Sequence, residues 1–160
     1  MFWDTSALIK AYATEPGSAT AQAALKAVPS RRAAVSDFVA LETLSVFAKL
    51  LRTGTFSASE YRSARGEFHK DYSGNFVEVL VEQRIRTNAR ALIETHRKAG
   101  VGALDILHLA CALDVKAASH PRPVVFAVVD AALRRIAARE GLRTFDPETQ
   151  TVSDLLASMR

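Results

Sequence analysis

Short, almost wholly apolar segments alternate along this chain with longer stretches of helical periodicity. Segments 1–3, 33–36, 76–81, 124–129 and 142–145 are dense in β-formers, and VVFAVV at 124–129 shows no polar position at all. A strand that reads apolar at every position is covered on both faces, and strands separated by helices pair in parallel. The helices are expected from Thr5 to Tyr12 and over 18–27, 37–52, 58–70, 83–98, 103–118 and 131–140. Ser57 with Glu60 supplies a capping-box start for the fourth of these, while Gly100 and Gly141 supply stops. The expected fold is α/β, a parallel sheet flanked by helices on both faces.

At 160 residues, with short turns and no repeat or Pro/Gly-rich linker, the chain reads as a single domain, 1–160. The longest apolar run is far below the roughly 20 residues a bilayer crossing requires. Asp4 interrupts the N-terminal region before any apolar leader builds up, so neither a membrane span nor a secretory signal is expected. Cys111 is the sole cysteine; it excludes an internal disulfide, fits a reducing, cytoplasmic compartment, and reads as a small packed hydrophobe within an apolar helix.

The net charge of +4 favours a polyanionic partner. Arginine supplies most of the basic residues, including Arg31, Arg32, Arg84, Arg86, Arg90, Arg134, Arg135 and Arg139, and its planar fork suits phosphate.

Against this background four carboxylates stand out. Asp105 lies in ALDILHLACAL, residues 103–113, with apolar neighbours on almost every side, where an unpaired carboxylate is costly. Asp4 and Asp130 each follow an apolar strand directly, the position where sites form in parallel sheets. Glu42 shares a helix face with Val39 and Val46. Each has an ordinary explanation taken singly: helix capping for the three aspartates, simple exposure for Glu42. Taken together they could instead converge, and like charges then need a counter-ion. A hard divalent cation, Mg²⁺ or Mn²⁺, suits an all-oxygen set completed by substrate phosphates.

With these residues in view the chain resembles the PIN-domain family, and within it the VapC-type toxins of toxin–antitoxin pairs. The resemblance rests on DTSAL at 4–8, VSDFVALE at 35–42, ALDILHLACAL at 103–113 and VVDAALRRIAAREGL at 128–142, in the family's order and spacing. It implies a metal-dependent endoribonuclease in which Asp4, Glu42, Asp105 and Asp130 hold one or two Mg²⁺ or Mn²⁺ ions. Ser6 would bind phosphate or a metal-bound water. It further implies an RNA substrate, a small neutralising antitoxin and a homodimer. Two positions depart from the family pattern: Ile106, where alanine is common, reads as a packing change, and Val128, where threonine is frequent, leaves Asp130 the least secure of the four.

The histidines His69, His96, His108 and His120 lack a metal-ligand spacing, although His108, three residues after Asp105, could hydrogen-bond that carboxylate. Dispersed glycines exclude a P-loop or dinucleotide fingerprint, and no GxSxG elbow is present. Two alternatives remain. One is a phosphohydrolase using Asp4 as nucleophile, which lacks the usual second aspartate two residues on. The other is a catalytically silent module that binds RNA or protein. Apolar residues of 18–27, 37–52 and 56–68 could serve as contact surfaces or as core.

Overall fold

The structure, a computed structural model, describes all residues 1–160. Five strands, β1 (Phe2–Trp3), β2 (Ala33–Ser36), β3 (Phe76–Val79), β4 (Val125–Ala127) and β5 (Arg143–Phe145), form one sheet in the order β3-β2-β1-β4-β5. Every pairing is parallel, as the apolar runs required. Eight helices connect or follow them. They are α1 (Thr5–Leu8, continued by a 3-10 turn Ile9–Ala11), α2 (Ser18–Ala27), α3 (Val39–Arg52), α4 (Ala58–Gly74), α5 (Gln83–Thr95), α6 (Ala103–Ser119), α7 (Ala131–Arg139) and α8 (Val152–Ser158).

The pleat divides the core in two. Trp3, Ala33, Val35, Val125 and Ala127 project to one face and pack with α1 to α4 and α8, through residues such as Leu8, Phe47, Phe68 and Leu155. Phe2, Ala34, Val124, Phe126 and Val128 project to the other, against Ile85 of α5, Leu109 of α6 and Leu133 of α7. Two-sided burial is why these strands show no polar alternation. Phe56, Ala64 and Phe68 are buried here, so the apolar content of 56–68 is core and not a contact surface. Ile106 and Cys111 are likewise packed in the second core, and burial pushes the Cys111 thiol up to about 12.

Several boundaries differ from the sequence expectation. β3 stops at Val79 because the chain turns there: the Val81 N–H leaves the ladder for the Asp37 carboxylate at 3.2 Å. β4 is confined to Val125–Ala127, and α4 runs on to Gly74. α8 was not anticipated at all. It is seven residues long, buries Leu155 alone, and starts at a capping box in which the Thr151 N–H donates to Asp154 Oδ2 at 2.8 Å. So short a helix carries little periodicity, but Thr151 with Asp154 was the readable start signal.

The C-terminal segment is tied to the start of the chain. Buried Lys10 pairs with Glu148 at 2.6 Å, and Asp146, 3% exposed, accepts from Arg134, from the Glu148 N–H and from the Thr149 hydroxyl. Gly17 sits at φ +85° with Pro147 backbone only 3.0 Å from where a Cβ would be, so this contact requires glycine twice over.

Candidate active site

In the order β3-β2-β1-β4-β5 the chain winds outward from β1 in one direction and then restarts at β4 on β1's other side. The crevice at the carboxyl ends of β1 and β4 is therefore the topological switch point, where open parallel sheets take their ligands. Asp4 follows β1 immediately, and Asp130 follows β4 as the N-cap of α7. Glu42 in the first turn of α3 and Asp105 in the first turn of α6 complete the four anticipated residues. They stand close enough for their charges to interact: the Asp105 pKa is raised first by burial and then by Glu42 and Asp130, and Asp105 in turn raises that of Asp4.

Each carboxylate is held by one oxygen. Asp4 Oδ2 accepts the Ser6 N–H at 2.9 Å and the Ser6 hydroxyl at 2.5 Å. Asp130 Oδ1 caps α7 by accepting the Leu133 N–H at 2.7 Å, and Asp105 Oδ2 accepts the Gly102 N–H at 3.2 Å. Glu42 Oε2 accepts the Thr5 hydroxyl at 2.7 Å and His108 Nε2. The second oxygen of each has no hydrogen-bond partner in the protein, and for Asp4 that atom, Oδ1, is fully buried. Asp4 is only 2% exposed, and burial drives its pKa up despite His108 and Ser6, which both favour the charged form.

A buried, unpartnered carboxylate oxygen is costly unless a proton or a cation satisfies it. The donor set is all oxygen, the chemistry of Mg²⁺ or Mn²⁺ and not of a thiolate or multi-histidine site. No group of three or more His, Cys, Asp or Glu side chains is arranged as a ready-made cage. Magnesium does not demand one, because it is held through one or two carboxylates with waters and substrate phosphates filling its octahedron. The residues present fit such an ion.

One supporting contact differs from expectation, and a second residue of the site also serves the fold. The His108 ring, 0% exposed, does not serve Asp105: its Nδ1 lies 2.8 Å from the Ser36 hydroxyl at the end of β2, and its Nε2 meets Glu42. An i, i+3 spacing placed His108 on the face of Asp105, but Asp105 is turned back to Gly102, and the ring points across to α3. Burial opposes charge on this imidazole, yet the Glu42 bond and the charges of Asp4, Glu42 and Asp105 outweigh it and raise its pKa. Glu42 responds oppositely: burial pulls its pKa up, and His108 and Thr5 bring it below the ordinary value. Ser6, read as binding phosphate or a metal-bound water, also has a place in the fold. Its hydroxyl donates to Asp4 and accepts the Val129 N–H at 3.2 Å, bridging the ends of β1 and β4.

Sequence reading passed over Thr5 and Ser36. The signal for Ser36 was a lone hydroxyl closing the apolar strand AAVS, and for Thr5 its place beside the strand-end acid. Val128, fully buried in the second core, offers no hydroxyl to Asp130, which is positioned by the α7 cap instead. Of the arginines noted above, Arg84 is bound by Asp114 and Glu82, and Arg134 by Asp146.

Residues 1–139 match the PIN domain family, and the matched span contains all four carboxylates. The chain belongs to the PIN-domain family. PIN domains are generally nucleases, hydrolases of phosphodiester bonds, and generally use divalent metals. No curated protein matches this PIN domain significantly along its sequence.

Proposed function

We propose that this PIN domain is a metal-dependent endoribonuclease and the toxin of a type II toxin–antitoxin pair of the VapC kind, acting in the cytoplasm. The observation that carries the nuclease reading is Asp4 Oδ1: a buried acid oxygen without a protein partner, at the switch point, on a carboxylate that feels the charge of Asp105, which in turn feels Glu42 and Asp130. Asp4, Glu42, Asp105 and Asp130 would hold the ion. Bound there, Mg²⁺ or Mn²⁺ supplies Lewis-acid activation of water and charge stabilisation at the phosphoryl group.

The remaining work belongs to the chain's own residues. Ser6 fixes the Asp4 carboxylate by two hydrogen bonds to one oxygen and leaves the other without a protein partner. Thr5 and His108 do the same for Glu42, and the α7 N-terminus fixes Asp130. Preset orientation removes rotamer freedom that substrate binding would otherwise have to freeze out. The aspartyl-nucleophile alternative draws no support from this geometry, since the position of its second acid is held by Ser6, whose hydroxyl is engaged with Asp4.

The test is cleavage of a mixed pool of single-stranded and transfer RNA by purified, partner-free protein in Mg²⁺, in Mn²⁺ and in EDTA, beside Asp4→Asn and Asp105→Asn. Cutting that needs metal and is lost in variants with unaltered circular dichroism is expected. Undiminished cutting by either variant refutes the assignment; RNA binding with no cleavage in any metal would favour the silent module. For the antitoxin and the homodimer, the supporting feature is a set of exposed apolar side chains on α3, Leu41 at 68% and Leu51 at 38%. Copurification of a small protein from the native host, and sedimentation of the toxin alone, test the two separately.

A further inference from the structure

A cavity lined by none of the four carboxylates lies beside α7. It measures about 450 Å³ and is walled on one side by the connection after α5 and on the other by α7. Arg97 and Lys98 line the first wall, Arg135 and Arg139 the second, and no carboxylate lines either. None of these four cations forms an ion pair, in contrast with Arg84, Arg134 and Lys10. Unpaired like charges facing one hollow repel one another, a cost that a bound polyanion would reverse.

Each wall leads to an acid. Arg97 also borders a smaller hollow of about 100 Å³ that extends past Gly100 to Ile106, the neighbour of Asp105. On α7 the lining stripe Ala132, Arg135, Arg139 begins two residues beyond Asp130, and at 1.5 Å per residue Arg139 lies about 13 Å along the axis from that cap. No Phe, Tyr or Trp lines the cavity, so it offers charge without a platform for stacking bases.

We propose that this cleft holds the phosphate backbone of single-stranded RNA flanking the scissile bond, through Arg97, Lys98, Arg135 and Arg139. This rests on the ribonuclease reading and adds where the substrate runs: from the acids along α7, gripped by charge alone. Contacts of that kind position a strand without reading its sequence, and each one neutralised phosphate contributes to salt dependence.

The experiment measures binding of a fluorescein-labelled 20-nucleotide single-stranded RNA by anisotropy, in EDTA so that no cleavage intervenes, from 50 to 300 mM KCl. A variant with Arg97, Lys98, Arg135 and Arg139 all changed to Gln is set beside a charge-matched control with Arg52, Arg62, Arg65 and Lys70 changed to Gln. All eight side chains are exposed, so folding is preserved and is checked by circular dichroism. The cleft variant is expected to bind at least tenfold more weakly at 100 mM KCl. Its log–log salt slope should fall by about 2 to 3, from roughly 0.7 per phosphate lost, with the control within threefold of wild type. Equal losses in both variants, no loss in the cleft variant, or equal wild-type affinity for polyglutamate would overturn the proposal. The two readings fail separately: a protein that cuts RNA while the cleft variant binds normally refutes the cleft alone, and one that binds through the cleft but never cuts refutes the nuclease alone.

Discussion

Replacing His108 with alanine tests whether the buried relay Ser36–His108–Glu42–Thr5 holds α6, β2 and α3 together, independently of any metal or substrate. The ring has a side-chain exposure of 1%, so its removal leaves a cavity that costs about 1–2 kcal/mol. The Ser36 hydroxyl, 0% exposed, loses the imidazole at 2.8 Å, and an orphaned buried hydroxyl costs about 1–3 kcal/mol. Breaking a fully buried ion pair costs about 3–5 kcal/mol. Glu42 keeps 22% exposure and its Thr5 bond, so water and Thr5 recover part of that loss, and about 1–2 kcal/mol is the fitting share. The total is about 3–7 kcal/mol, and at about 2–4 °C per kcal/mol for a chain of this size the melting midpoint falls by at least about 6 °C and at most about 28 °C.

Differential scanning calorimetry in EDTA at pH 7 reads this directly. A double-mutant cycle of His108→Ala with Glu42→Gln gives the coupling, expected at about 1–2 kcal/mol for residues in contact. A midpoint within 3 °C of wild type, or strict additivity in the cycle, would show that the ring merely fills space.

Three further outcomes follow from particular contacts. Asp130→Asn retains the α7 cap and should melt within about 2 °C of wild type while losing nuclease activity, whereas Asp130→Ala loses the cap as well and about 1 kcal/mol of stability; equal activity in Asp130→Asn and wild type would remove Asp130 from the site. Cys111 should resist Ellman's reagent at pH 8, because a thiol pushed up to about 12 by burial stays protonated there, and should react at once in 6 M guanidinium; prompt labelling of native protein would contradict its burial. Gly17→Ala places a methyl 3.0 Å from Pro147 backbone at φ +85°, so urea unfolding should show stability lower by more than about 1 kcal/mol, read as a lower midpoint at unchanged slope.

The sheet was legible because two-sided burial leaves an unmistakable mark: VVFAVV and AAVS have no solvent face to record in polar residues. Strand order was not legible, since nothing local in β4 says that it returns to pair with β1; that depends on which face α5 and α6 cover. The placement of the four acids at strand ends and helix starts was legible from position alone. Their partners were not, because hydrogen bonding at a site is decided by side chains from distant segments. Ser36 and His108 are 72 residues apart and Glu42 and His108 66, and helical spacing on α6 alone favoured Asp105 as the imidazole's partner. Ser6 illustrates the same limit, since Val129, which engages its hydroxyl, is 123 residues away.

Capping and catalysis read as rival explanations for the aspartates in the sequence, and the geometry leaves room for both. A carboxylate has two oxygens. Asp105 gives Oδ2 to the Gly102 N–H, Asp130 gives Oδ1 to the Leu133 N–H, and Asp4 gives Oδ2 to Ser6, so each meets its local structural demand with half of its acceptor capacity. The bond to backbone also fixes the plane of the group, and with it the direction in which the remaining oxygen points. Asparagine at these positions can keep the structural bond while replacing the free oxygen with an amide donor, which no cation accepts as a ligand. An Asn series across Asp4, Asp105 and Asp130 therefore separates the two halves of each residue: folding is expected to follow the bonded oxygen, and the proposed metal-dependent cleavage the free one.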